Sequence, residues 1–192
     1  MKNIIFIAFM TCVSITLTAQ MYFDGGIGVG GAWTINDGTN VTDAIDVDTN
    51  LGVTLDLKAG YDISGIKRIY LTAEISGVGH RLQRIEGTDY YIQYNSYLLG
   101  PGVIVYPHPN FQVSAAIGYS FTANSTDLPF IIMADGNGFA LNFSGAYDVG
   151  RDVNSVLIGV KFHYANNALD HPIVKRQETS FLGVYVRYRF KG

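Results

Sequence analysis

From Ser180 to Phe190 the chain alternates almost without fault. Leu182, Val184, Val186, Tyr188 and Phe190 share one parity; Gly183, Tyr185, Arg187 and Arg189 share the other. A period of two places successive side chains on opposite faces of a β-strand, so this segment has one apolar face and one small or charged face. The period recurs upstream and predicts eight strands, over about 22–35, 51–61, 69–81, 91–106, 111–122, 139–149, 155–164 and 180–190. The second is among the cleanest. Leu51, Val53, Leu55, Leu57, Ala59 and Tyr61 alternate with Gly52, Thr54, Asp56, Lys58 and Gly60. The fourth is ambiguous, with apolar residues in both parities, and its Gly100-Pro101-Gly102 reads as a β-bulge at which the parity changes.

Charge sharpens the assignment. In this register no Asp, Glu, Lys or Arg falls on an apolar face except Arg81, at a strand end. The opposite parity holds four acids, Asp24, Asp56, Glu74 and Asp148, and four bases, Lys58, Lys161, Arg187 and Arg189. An apolar outer face with charges gathered inside is the pattern of a transmembrane barrel, where a Lys or Arg facing mid-membrane costs roughly 2–4 kcal/mol. Charges enclosed in the lumen need partners, because breaking a buried pair costs about 3–5 kcal/mol. Asp24 and Arg189 lie near matching ends of the first and last strands, which must pair for closure, and are expected to meet.

The connections agree. Those near 36–50, 83–90, 123–137 and 165–179 are long, and those near 62–68, 107–110 and 150–153 are short. Long loops outside, short turns on the periplasmic side and an even strand number are the barrel arrangement. Aromatic residues at strand ends fit two interfacial girdles: Phe23, Tyr61, Tyr106, Phe111, Tyr147 and Phe190 at one rim, Trp33, Tyr91, Phe121, Phe139, Tyr164 and Phe181 at the other.

Composition changes the picture in two ways. The 22 Gly, 13 Tyr and 11 Phe, with only 15% charged residues, suit a membrane barrel better than a soluble domain. Residues 1–19 read as a cleaved signal peptide: Lys2, an apolar stretch from Ile4 to Leu17, and Leu17-Thr18-Ala19 before Gln20. The expected mature domain, 20–192, then has no cysteine, because Cys12 leaves with the signal, which excludes disulfide or thiolate chemistry. Its 12 basic and 16 acidic residues give a formal charge of −4 once Lys2 is removed from the 13 basic residues of the whole chain. No basic cluster points to nucleic acid, and no apolar run reaches the ~18 residues of a membrane-spanning helix.

Tyr97-Leu98-Leu99-Gly100-Pro101, Pro109-Asn110-Phe111 and Val186-Arg187-Tyr188-Arg189-Phe190 resemble segments of the small outer-membrane β-barrel proteins of Gram-negative bacteria, the porin-like family with eight-stranded, OmpX-type members. The resemblance covers Gln20 to Phe190. It implies an all-β fold, an eight-stranded antiparallel transmembrane up-and-down barrel, in the outer membrane of a Gram-negative bacterium. The implied partners are outer-membrane lipids, the barrel-insertion machinery during biogenesis, and any extracellular ligand of the loops.

Sequence motifs for chemistry are few. Gly26-Ile27-Gly28-Val29-Gly30-Gly31 fits a dinucleotide-binding fingerprint letter for letter, but a strand continues through it where a helix would have to begin. His80, His108, His163 and His171 lack metal-ligand spacing. Asp37, Asp43, Asp46 and Asp48 match no Ca²⁺ loop and read as a solvated acidic loop. His163-Tyr164-Ala165-Asn166 is similar to the H-x-S-N motif of the outer-membrane lipid A deacylases, yet Ala165 occupies the nucleophile's place and leaves His163 no hydroxyl to activate. Pro129-Phe130-Ile131-Ile132-Met133 is an apolar run in the third outer loop, suited to a contact surface or to extending a hairpin. The reading is a non-enzymatic, monomeric barrel without cofactor, metal or catalytic residues. Its lumen is filled by side chains, and its role is structural or surface interaction through the outer loops. A narrow or gated channel and a lipid-modifying enzyme are the alternatives.

Overall fold

A computed structural model describes residues 21–40, 50–65, 68–83, 91–127, 133–150 and 154–191. Residues 1–19, Asp43, Asp46, Asp48 and most of the 129–133 run lie outside them. Eight long strands make up the fold: β1 (Met21–Asn36), β2 (Leu51–Asp62), β3 (Ile69–Gln83), β4 (Tyr91–His108), β5 (Phe111–Thr122), β6 (Gly136–Asp148), β7 (Asn154–Leu169) and β8 (Arg176–Lys191). Each pairs antiparallel with its sequence neighbours, and β1 also pairs with β8 from Tyr22↔Lys191 to Asn36↔Gln177. The ring is closed, so none of the eight strands presents an unpaired edge.

The burial pattern inverts that of a soluble protein. Phe23, Ile27, Val29, Leu55, Ile75, Ile117, Val160 and Val184 are each more than half exposed, whereas Asp56, Glu74, Lys161, Arg187 and Arg189 are at most 1% exposed. Outside the turn and loop ends, the exterior is a continuous apolar band. Among the described strand residues, the charged side chains of outward parity are Arg81, Arg176 and Glu178, all at the end where the long loops emerge.

Three sequence expectations are corrected. The parity of β4 does not change at Gly100-Pro101-Gly102: one register with β3 runs from Ile69↔Val105 to Gln83↔Tyr91. The ladder to β5 passes from Leu99↔Tyr119 to Gly102↔Ala116 without slipping, and its register shift lies between Val105 and His108. The ambiguity arose because Ile92, Leu98 and Ile104 are apolar and yet point inward. Pro101 has no N–H to give, and the β5 ladder skips it. Gly100 stands close to β5, where a Cβ would lie 2.5 Å from the Cα of Gly118. Second, Tyr106 and Phe181 are not girdle residues, because their parity turns them inward, where they are buried. Third, β7 and β8 continue well past the predicted 164 and 180, shortening the fourth outer connection to 170–175. Above the membrane the outward face meets water instead of lipid and need no longer be apolar, so the alternation stops while the ladder continues through Asn167↔Gln177, both buried inside.

The first outer connection begins as a tight hairpin. Asp37 and Gly38 both have positive φ, 47° and 88°, and Asn36 pairs with Thr39 across them. This is the Asp-Gly turn whose twist suits two-residue hairpins. The Asp37 carboxylate then reaches β8, accepting N–H bonds from Lys175 (3.0 Å) and Arg176 (2.9 Å). One acid of the expected solvated loop therefore ties the first outer hairpin to the last strand.

Candidate functional site

The lumen is filled in layers. At the end of the short turns, Tyr22, Tyr70, Ile104 and Tyr106 form an aromatic plug, with Tyr22 and Tyr70 edge to face at 5.0 Å. Such contacts combine large apolar area with favourable ring electrostatics. Arg189 lies over the Tyr22 ring at 4.1 Å and joins this plug to the charged layer above.

The structure brings Asp24, Asp56, Glu74, Lys58, Lys161, Arg187 and Arg189 into close ionic contact. Asp24 and Arg189 are directly opposite in the β1–β8 ladder, and the guanidinium grips the carboxylate with two bonds of 2.7 Å. Arg189 gives a further bond to Gln112 Oε1 at 2.9 Å. Arg187 sits between two acids, 3.7 Å from Asp24 and 3.5 Å from Asp56, with its guanidinium 4.5 Å above the Tyr185 ring. Lys161 donates to Asp56, Thr54 Oγ1 and Ser76 Oγ, which matches the three N–H groups of an ammonium. Lys58 pairs with Glu74 at 2.7 Å and donates to Ser114 at 3.2 Å. Asp148 is buried beside the plug and accepts from the Tyr106 hydroxyl at 3.5 Å.

His163 belongs to the same network. Its Nδ1 is 2.6 Å from Asn142 Oδ1, and its Nε2 is 3.3 Å from Ser96 Oγ; Asn142 in turn donates to Glu74. Ala165 is fully buried on the lumenal face. The pair that resembles a deacylase motif thus points away from lipid, and the hydroxyl that meets His163 is not at position 165 but that of Ser96, buried in the lumen. His80, on the same inward parity, bonds Thr34 Oγ1 at 3.1 Å. His108 accepts from the Asn110 N–H in a turn and His171 lies in the fourth outer loop, so the four histidines occupy separate settings.

Above the ionic layers, Leu82, Ile92 and Tyr94 form an apolar cluster on which Met133 of the third loop packs. Beside it opens a vestibule of ≈ 460 Å³. Met133, Leu169 and Ile173 give it apolar walls, and Asn36, His171 and Gln177 give it polar ones. Its frame is built by hydrogen bonds between loops. Asn124 Nδ2 donates to Gln177 Oε1 (2.7 Å) and to Ala134 O (2.9 Å), and Asp170 N donates to Asp135 O (3.2 Å). The Ile173 and Val174 N–H groups donate to His171 Nδ1, which leaves the proton of the neutral ring on Nε2. Periodicity did not reveal this site, because its residues come from loops and strand tips. The Asp37-Gly38 turn signal and the Met133 end of the apolar run were the available clues.

A closed eight-stranded antiparallel ring with an apolar exterior and a charged interior is a transmembrane β-barrel of the outer-membrane type. Known structures share it. Ail, the attachment invasion locus protein of Yersinia pestis, solved with the heparin analogue sucrose octasulfate, aligns with a TM-score of 0.59 at 12% identity, covering 88% of this chain and 99% of Ail. Neisserial surface protein A aligns at 0.52 and 15%, covering 87% and 95%, and the outer-membrane protein OprG of Pseudomonas aeruginosa at 0.50 and 12%, covering 91% and 96%. At these identities the likeness is one of architecture alone. No family model and no curated protein matches the sequence.

Proposed function

We propose that this chain is a non-enzymatic surface-binding protein of the Gram-negative outer membrane, closed to ions, that takes its ligand in the vestibule between the outer loops. Residues 1–19 direct its export, the barrel-insertion machinery places it in the membrane, and it works as a monomer, since the ring leaves no strand edge to share. The observation that carries the reading is the filled lumen. Tyr22, Tyr185, Arg187, Arg189 and Lys161 are among the largest fully buried side chains, and they occupy the axis that a channel would need. An eight-stranded barrel has an interior just wide enough for side chains to fill.

The vestibule suits a small amphipathic ligand, with its apolar part against Met133, Leu169 and Ile173 and its hydrogen-bonding part towards His171 and Gln177. Planar-bilayer recording tests the closed lumen: a flat current is expected, and sustained openings overturn the reading. Side-chain amide NMR of Asn124 and Gln177 tests the vestibule during titration with small amphipathic compounds. Shifts that vanish in Ala134→Trp, which fills the space, support it. Shifts that persist in that variant, or none in the parent, refute it.

A further inference from the structure

Two successive outward positions of β3 carry no side chain. In the cross-strand rows, Gly79 lies between Val53 and Asn95, and Gly77 between Leu55 and Tyr97. The missing side chains leave a trough along β3, a cavity of ≈ 320 Å³ on the exterior of the barrel. Val53 and Leu55, each more than half exposed, form one wall. The other is Tyr97, held against Phe121 by stacking at 4.8 Å. A single added methyl would fit at either glycine by displacing only side-chain atoms: a Cβ on Gly77 would meet Tyr97 at 3.0 Å, and one on Gly79 would meet Asn95 Oδ1 at 3.1 Å.

The trough opens towards the bilayer, and unfilled space beside apolar walls forfeits dispersion contacts. A hydrocarbon chain from the membrane restores them. The outer end of the trough differs from the rest. Arg81, next on the same face of β3, lies about 7 Å beyond Gly79 at the strand rise of ~3.4 Å per residue. Its guanidinium is held over the Tyr91 ring at 4.5 Å, and beside it Gln93 donates to Asn95 at 2.8 Å. A cation and amides at headgroup depth, above an aliphatic slot one strand wide, complement a phosphorylated lipid. Arg favours phosphate because its planar fork matches phosphate oxygens. The long-loop end faces the outer leaflet, where the phosphorylated lipid of a Gram-negative outer membrane is a glycolipid.

The geometry points to a specific lipid site on the β2–β4 face, in which one acyl chain of an outer-leaflet phosphorylated glycolipid lies over Gly77 and Gly79 and its headgroup phosphate is bound by Arg81. The site is independent of the vestibule and of whether the lumen conducts.

The test refolds the full barrel into phosphatidylcholine vesicles doped with lipid A, dephosphorylated lipid A or phosphatidylglycerol. Extraction in mild detergent follows, and retained lipid is counted by native mass spectrometry. The parent is expected to keep one lipid A in preference to phosphatidylglycerol. Gly79→Leu, which fills the slot, lowers retention about tenfold. Arg81→Gln lowers lipid A retention to that of the dephosphorylated form, and Val160→Leu on the opposite β7 changes nothing. If Gly79→Leu does not fold, Arg81→Gln alone decides. Equal retention of lipid A and phosphatidylglycerol, unchanged retention in Arg81→Gln, or a protein dimer in place of bound lipid overturns the proposal.

Discussion

Arg189→Met puts the ionic lumen to its hardest test. Methionine keeps much of the stem volume of arginine, so the loss is chemical rather than a large cavity. Two charge-assisted bonds to Asp24 and one to Gln112 disappear, together with the stacking on Tyr22. Asp24, 3% exposed, then retains Arg187 at 3.7 Å as its ionic contact. Breaking a buried pair from one side costs about 3–5 kcal/mol. Asp24→Leu strands the arginine in the same way. Removing both partners leaves no isolated charge at this position, so Asp24→Leu/Arg189→Met is expected to cost about 2–3 kcal/mol less than the sum of the singles, as for residues in direct contact. Urea unfolding from lipid vesicles gives the free energies. It is followed by the fluorescence of Trp33, the sole tryptophan, which lies on the lipid face. Loss of the gel-mobility difference between heated and unheated samples provides an independent reading. The reasoning is refuted if Arg189→Met stays within about 0.5 kcal/mol of the parent, the range of ordinary surface substitutions, or matches Lys175→Met in the exposed fourth loop.

Neighbouring glycines should separate the two faces of β1. Gly26→Val drives a Cβ to 2.7 Å from the Val186 carbonyl and is expected to cost about 3 kcal/mol, whereas Gly25→Val meets only Leu57 at 3.6 Å and stays near neutral; equal urea midpoints would contradict the assigned register. Asp37→Ala removes the acceptor for the Lys175 and Arg176 N–H groups, at a cost of about 1 kcal/mol, and should hasten proteolysis within 170–175; an unchanged cleavage rate would show that the clamp is idle. Ala165→Ser restores the H-x-S-N letters but places the hydroxyl in the lumen. Lipid A acyl chains are expected to remain intact, and loss of one would revive the enzymatic alternative.

Residues such as Val184 and Arg187 show why so much was legible in the chain. A period of two assigns each to a face without knowledge of its neighbours, and a bilayer outside penalises every error in that assignment. The eight inward charges could therefore be named from parity alone. Where both faces are apolar, as in β4 with Ile92, Leu98 and Ile104 turned inward, the local pattern loses its contrast and the bulge was misplaced. Beyond the membrane the penalty vanishes, which is why the extensions of β7 and β8 were missed; Phe181 shares the inward parity of Gly183 and Tyr185, and only its place at a strand end suggested a girdle.

Alternation, charge placement and connection lengths by themselves determined an all-β transmembrane ring and which charged side chains line it, because those properties are local to each strand. Only closure of the ring decided who meets whom. Lys161 and Asp56 are 105 residues apart, and such cross-barrel pairing follows from strand stagger and side-chain reach, which no single strand encodes; Asp24 and Arg189 were the exception, because the first and last strands must pair for the ring to close. The vestibule and the β3 trough belong to the same category, since each is a space left between segments, and spaces exist only once the chain has closed around them.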